Sequence, residues 1–105
     1  MIESSKAEAA LEFLRKTDND VGPLSRQARL KAHMLKHVEG LLVKAMANEG
    51  VSVTLRKDYA RADDRYLEAL KEDAEAHGEW SSLLESRDAA KTAISLYQTS
   101  VKDRL

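Results

Sequence analysis

The residues with the spacing best suited to chemistry in this sequence are two histidines, His33 and His37, four positions apart. On a helix that spacing puts both imidazoles on one face, where they could bind a metal ion. A zinc site needs at least a third protein ligand, but Glu39 falls on another face and His77 is distant in the chain. We therefore expect solvated or partly buried histidines, with no metal site and no cofactor.

No other group of residues has the pattern of a catalytic site. The sequence has no cysteine, which excludes thiol chemistry and cysteine zinc sites. It also lacks a glycine-rich phosphate loop, a catalytic serine–histidine–acid arrangement and a carboxylate cluster with ligand spacing. We expect a protein that is not an enzyme.

Positive charge is concentrated on one side of the segment between Pro23 and Gly50. A helix through this segment places these side chains next to one another, around Gly40: Arg26, Arg29, His33, Lys36, His37 and Lys44. Such a stripe can neutralise the phosphates of a nucleic acid without reading its sequence. The alternative is the solvated face of an ordinary bundle helix, since a formal net charge of −1 provides no whole-protein attraction to nucleic acid.

A second basic cluster lies beyond Gly50. Its members are Arg56, Lys57, Arg61 and Arg65. Interleaved with them are the aspartates Asp58, Asp63 and Asp64. Ion pairs within one helix, such as Asp58 with Arg61 or Arg61 with Asp64, explain this cluster more simply than nucleic-acid binding does.

Three helices must position these residues in an all-α domain spanning 1–105. A short helix is predicted over about 5–17, where Ser5 and Glu8 have the spacing of a capping box. The second is predicted over about 24–47, between Pro23 and a left-handed cap at Gly50. Its apolar stripe is widened by three residues that we expect to be buried: Leu30, Met34 and Leu41.

The third helix is predicted over about 54–104. From Leu55 through Tyr59 to Val101, residues recur at intervals of four and three, and the rhythm survives Gly78. Because glycine costs only about 1 kcal/mol in a helix interior, we predict an antiparallel helical hairpin with a long, heptad-patterned C-terminal helix. The alternative is a turn at Gly78, which would give a compact four-helix bundle.

The C-terminal half of this long helix would extend beyond the hairpin, and an uncovered heptad seam pairs with a copy of itself. We expect a homo-oligomer whose interface contains Trp80, Leu83, Arg87, Ala90, Ile94, Tyr97 and Val101. A buried charge at Arg87 needs a partner. The candidates are Glu85, Asp88 and, across an antiparallel interface, Asp73.

Two stretches resemble a known family: RLKAHMLKHVEGLLVKAMANEGVSVTLRKDYARADDRYLEAL and LLESRDAAKTAISLYQTSVKDRL. The family comprises small helical proteins encoded beside single-strand annealing or recombination genes in tailed phages and prophages, of the recombination-mediator (UvsY-like) type. Its pattern has a small residue–Glu–Gly turn, then an arginine, paired small residues and an aromatic–Arg–Thr motif. Here Arg87, Ala89, Ala90 and YQT at 97–99 take the later places, with Gln98 departing from the basic residue.

The resemblance implies a phage-encoded, oligomeric, non-catalytic accessory to DNA recombination. Such a protein binds single-stranded DNA and helps to load a recombinase or annealing protein onto it. The alternative is a protein–protein interaction module without DNA binding, such as a phage-encoded inhibitor of a host protein. Near-neutral charge and a long amphipathic helix favour that alternative.

The N-terminus does not resemble a signal peptide, because Glu3, Lys6 and Glu8 interrupt its apolar residues. No apolar run approaches the roughly 18 residues that suggest a membrane span. We therefore expect a cytoplasmic protein, in the host cell if it is phage-encoded, with no membrane partner.

Overall fold

The computed structural model describes residues 3–104, so residues 1, 2 and 105 lie outside the described range. Four helices follow one another there: α1 (Ser4–Thr17), α2 (Val21–Asn48), α3 (Val53–Ala62) and α4 (Asp64–Asp103). The predicted class, an all-α helical hairpin with a long C-terminal helix, is confirmed. None of the described helices combines the length and apolar content needed to cross a membrane.

The helices form two compact units. One contains α1, the first residues of α2 and α4 from Glu79 onward, and the other spans Ser25–Gly78. In the second unit, Glu39 of α2 pairs with Arg61 of α3 at 3.2 Å, and Lys31 pairs with Glu72 of α4 at 3.4 Å. Residue numbers fall along α2 as they rise along its partners, so α2 is antiparallel to both. The buried side chains of this unit are Ala28, Leu42, Ala60 and Ala76.

In the first unit, α1 lies antiparallel to the end of α4. Ala7 and Leu11 line an open pocket with Ile94, and the Leu14 carbonyl accepts a hydrogen bond from Arg87 at 2.9 Å. The buried side chains here are Ala7, Ala10 and Ala90. Methyl-sized side chains let two helix backbones approach closely, which allows so short a helix to pack against α4.

The expectation of an uncovered seam along the C-terminal half of α4 is therefore wrong. Helix α1 of the same chain packs against it. Within one chain, every residue of the predicted oligomer interface is already buried or half-buried: Trp80, Leu83, Arg87, Ala90, Ile94, Tyr97 and Val101. Homo-oligomerisation stays a prediction, but it no longer rests on an uncovered seam.

The helix predicted over 54–104 is interrupted at Asp63. The backbone of Asp63 is extended, with φ −72° and ψ 139°, and its carboxylate accepts the Arg65 backbone N–H at 2.9 Å. Asp63 therefore caps the N-terminus of α4. The guanidinium of Arg65 also donates two hydrogen bonds of 3.0 Å to this carboxylate.

The alternative turn at Gly78 is wrong as well, because α4 is continuous through that residue.

The interruption changes which face of the chain is buried. From Tyr66 to Val101, every residue of the predicted seam is buried or half-buried. Before the interruption, Leu55 and Tyr59 are 43% and 51% exposed, while Ala60 is fully buried. The heptad rhythm is therefore correct along α4 and wrong along α3, because an extended residue does not preserve the helical phase.

Gly50 ends α2 as predicted. Its φ of +82° lies in the left-handed region that favours glycine. The Gly50 N–H donates a hydrogen bond to the Ala47 carbonyl, and the Val51 N–H donates one to the Met46 carbonyl. These two bonds define a Schellman motif.

The start of α1 differs from expectation, since its N-cap is Glu3 and no side chain caps it. The predicted capping box of Ser5 and Glu8 is thus absent.

We expect Asp63→Ala to destabilise the protein and to fray the start of α4, because the Arg65 N–H loses its acceptor. Asp63→Asn keeps a capping oxygen and loses only the charge. The Arg65 side chain, and then its backbone N–H, hold the pKa of Asp63 below its ordinary value. A depressed folded-state pKa means that the charge stabilises the protein above pH about 4 and ceases to do so as the pH falls through the folded value.

Urea unfolding of the unmodified chain and both variants, at pH about 7 and about 3, measures these effects. The stability difference between the unmodified chain and Asp63→Asn should shrink at the lower pH. Equal stability of Asp63→Ala and the unmodified chain at neutral pH would contradict the assignment of Asp63 as a cap.

Candidate nucleic-acid interface

The residues predicted to bind nucleic acid all lie exposed along one side of α2. We call this set the basic face: Arg26, Arg29, His33, Lys36, His37 and Lys44. The face belongs to the unit Ser25–Gly78. At a rise of 1.5 Å per residue it is about 27 Å long, which matches about eight phosphates of a stacked strand.

The basic face contains no acidic side chain. Helix α2 carries a single carboxylate, Glu39, and this side chain is only 21% exposed because it contacts α3. There, Lys57 Nζ lies 3.8 Å from Glu39 Oε1 and Arg61 Nε lies 3.2 Å from Oε2. Since α3 engages both oxygens of this carboxylate, the cations of the basic face are not compensated by their own helix.

The cations of α2 differ in their partners. Lys31 is turned away from the basic face and pairs with Glu72 on α4, with 22% of its side chain exposed. Arg29 donates to the neutral Ser25 hydroxyl at 2.9 Å, a bond that leaves its charge uncompensated. Within residues 3–104, no ion pair involves the other cations of the face, Arg26, Lys36 and Lys44.

An open groove separates α2 from α3 next to the basic face. Its volume is about 480 Å³, and its lining residues are Lys36, Glu39, Gly40, Val43, Val53, Arg56 and Lys57. Cations stand on both sides of the groove, and Glu39 is already held in ion pairs. The groove is therefore a positively charged extension of the basic face, and Arg56 and Lys57 were not predicted to belong to the site.

Gly40 lies in this groove. A Cβ atom added to Gly40 would meet no atom within 4 Å, so the space above it is not filled by another described helix. Because it has no Cβ, this glycine could let another helix or some other backbone approach closely. No helix in the described range does so, and the space remains accessible from solvent.

The pairing predicted within the second basic cluster is wrong. Arg61 bonds Glu39 on the facing helix, which raises the pKa of Arg61. Arg65 bonds Asp63 at the interruption. Spacing within one helix could not reveal the Arg61 contact, because its partner lies 22 residues earlier in the chain.

Beside the basic face, α2 exposes a second, apolar stripe. Leu30, Met34 and Leu41 are 52%, 43% and 55% exposed. The sequence predicts that all three are buried by additional neighbours, and this prediction is wrong. Because α3 and α4 cover the opposite side of α2, these side chains remain in solvent next to His37.

Arg87 has partners within its own unit. It donates to the Leu14 carbonyl at 2.9 Å and to Thr17 Oγ1 at 2.7 Å, and its other terminal nitrogen lies 3.4 Å from Asp18 Oδ1. A guanidinium in this position stabilises the C-terminal end of α1. The expected partners were different: Asp73, Glu85 and Asp88.

The two histidines of the basic face are exposed, and Glu39 does not join them. In the described part of the chain, histidine and acidic side chains nowhere form a group of three or more that could hold a metal ion.

Comparison of the chain with known protein families, curated proteins and solved structures finds no match. The surface chemistry of α2 and α3 is therefore the basis for inferring what this protein does.

Proposed function

We propose that this protein is a non-catalytic, phage-type accessory to DNA recombination that holds single-stranded DNA on the basic face of α2. The observation that supports this proposal is the arrangement of positive charge on α2. Arg26, Arg29, Lys36 and Lys44 are exposed on one side of a helix whose only carboxylate is engaged by α3. Such a surface attracts a phosphate backbone without sequence preference.

The near-zero net charge of the chain is compatible with this proposal. Charges in solution are screened over about 8 Å at physiological salt, so a bound strand responds to the local surface. Helix α4 carries most of the acidic residues of the second half of the chain, whereas α2 carries only Glu39. The local field over the basic face is accordingly positive.

The apolar stripe favours a single strand over a duplex. Unpaired bases expose faces and edges that apolar side chains can cover, while a duplex keeps its bases stacked inside. Leu30, Met34 and Leu41 lie beside the cations, where the bases of a strand bound by its phosphates would reach them. In the proposed role, the protein presents this strand to a recombinase or annealing protein.

Salt dependence tests the proposal. For four cations and a single strand, the slope of log affinity against log salt is expected to be about −3 or steeper. Binding should then weaken at least about fiftyfold between about 50 and 200 mM salt. Fluorescence anisotropy with a labelled oligothymidylate of about 15 nucleotides measures the affinity at each salt concentration. An absence of binding at the lower salt, or a flat salt response, would overturn the proposal.

Light scattering after size-exclusion chromatography of the same mixtures tests the oligomer separately. A mass equal to that of one chain would contradict the homo-oligomer, without affecting the DNA-binding proposal.

The second candidate is a protein–protein module, such as a phage-encoded inhibitor of a host protein, and the exposed apolar stripe favours it. A stripe of this kind beside uncompensated cations fits an acidic amphipathic helix, which would place its apolar side on Leu30, Met34 and Leu41. A second copy of α2 does not fit there, because it would bring like charges together. A protein of this kind would leave the oligothymidylate unbound even at low salt.

A further inference from the structure

We propose that the groove between α2 and α3 seats the sugar–phosphate backbone of the bound strand, and that Arg56 and Lys57 of α3 belong to the DNA site. This inference rests on the proposed function, since Lys36 belongs to both the groove and the basic face. It adds a second helix to a site that the sequence placed on α2 alone.

The charges around the groove fit a phosphate. Lys36 stands on the α2 side, and Arg56 and Lys57 stand on the α3 side. The one carboxylate in the lining, Glu39, has an ion pair at each oxygen. A phosphate in the groove would meet Lys36 and Arg56 from the two helices, and it would share Lys57 with Glu39.

Arg56 is already oriented for such a contact. Its Nε donates to the Val51 carbonyl at 2.8 Å, which restrains the guanidinium beside the groove. The terminal nitrogens keep their N–H donors, which can bind two oxygens of one phosphate in parallel. A restrained cation loses less conformational entropy on binding than a free surface lysine.

The shape of the groove points to a ligand at Gly40. Gly40 and Gly78 are both exposed helical glycines with open space above them, but only Gly40 lies in a groove that is lined by cations. Val53 at the same groove is 75% exposed. A strand lying in the groove would occupy the space above Gly40 and cover this valine.

The groove is suited to a single strand. Packed helices leave no channel between their axes, but the groove is an open depression of about 480 Å³ at the surface, which part of one phosphodiester chain can enter. A stiff duplex would contact only the rims and could not reach Gly40. With Arg56 and Lys57 included, six cations contact the strand, and the expected salt slope becomes about −4.

Gly40→Leu tests the groove without changing charge. The leucine enters open space and improves helix propensity, so the variant is expected to fold at least as well as the unmodified chain. Its affinity for the oligothymidylate should be about tenfold weaker. Gly78→Leu is the matched control, because Gly78 is also an exposed helical glycine with open space above it. It lies on α4, outside the groove, and should bind normally.

Lys57→Glu tests the contribution of α3, with Lys71→Glu on α4 as a control of equal net charge. We expect about tenfold weaker binding for Lys57→Glu and little change for Lys71→Glu. Normal affinity of either Gly40→Leu or Lys57→Glu, while the unmodified chain binds the strand with a steep salt dependence, overturns the groove and leaves the basic face as the site. No binding by the unmodified chain overturns both proposals.

Discussion

Changing Arg29, Lys36 and Lys44 together to glutamate is expected to weaken binding of single-stranded DNA at least about a hundredfold at low salt. These residues span most of the basic face, and all three are exposed. Each change removes a phosphate contact and adds a charge that repels the strand. The salt slope should fall by about 2, because a single strand contributes about 0.7 for each lost contact.

The control for this triple variant carries the same total charge. Each triple change takes the formal net charge from −1 to −7, since each cation replaced by glutamate subtracts two. Lys71, Lys91 and Lys102 are exposed positions of α4, and changing them to glutamate should reduce affinity only slightly. Anisotropy titrations with the oligothymidylate compare the two variants, after circular dichroism has established that both are folded.

An equal loss in the two triple variants would mean that total charge governs binding, which contradicts a site on α2. Full affinity in the α2 variant would contradict the site even more directly. In either case the acidic-helix partner becomes the better account of the exposed surface of α2.

Leu42→Ala is expected to lower the melting temperature by roughly 10 °C or more. Leu42 is 3% exposed, and it is the one buried residue larger than alanine in the described range. Removing a buried leucine side chain typically costs about 2–5 kcal/mol, since transfer free energy is lost and a cavity remains. That is a large part of the total stability of a small domain.

Leu41→Ala is the matched control. It removes the same side chain one position earlier on the same helix, but from a site that is 55% exposed. A change of about 0.5 kcal/mol or less is expected there. Thermal unfolding followed by circular dichroism measures both variants. Similar melting temperatures for the two would contradict the assignment of Leu42 to the core and of Leu41 to the surface.

The parts of the fold that local sequence determines were predictable. Pro23 lies in the first turn of α2, and Gly50 ends the helix in a left-handed conformation. The spacing of four and three residues along α4 correctly predicts its buried face, because the helical periodicity is unbroken within a single continuous helix. Gly78 does not interrupt it, in agreement with the modest cost of glycine in a helix.

The interruption at Asp63 was missed although a local signal was present. An aspartate followed by Asp64 in the first turn is a helix start signal, but the same residues also fit a pattern of ion pairs within one helix. Because α3 and α4 are separate helices, Tyr59 lies outside the buried seam and Ala60 lies in the core. One capping residue therefore decides the burial of a whole helix.

The exposed basic face of α2 follows from helical spacing, but the groove beside it does not. Its second side comes from Arg56 and Lys57, which reach α2 only through the turn after Gly50. The engagement of Glu39 by Arg61 is equally a tertiary contact. The same limitation applies to Arg87, whose partners on α1 lie about 70 residues earlier in the chain. Contacts over such separations are not encoded in local periodicity.

The prevalence of alanine among the buried side chains has a thermodynamic consequence. Six of the seven buried residues in the described range are alanines, and large apolar side chains such as Trp80, Leu83 and Ile94 keep part of their surface in water. The heat-capacity change of unfolding increases with the apolar area exposed. It should therefore be small for a chain of this length, which makes the curve of stability against temperature broad and shallow. Stability should then decline slowly on cooling, and the unfolding enthalpy should vary little between low temperature and the melting point.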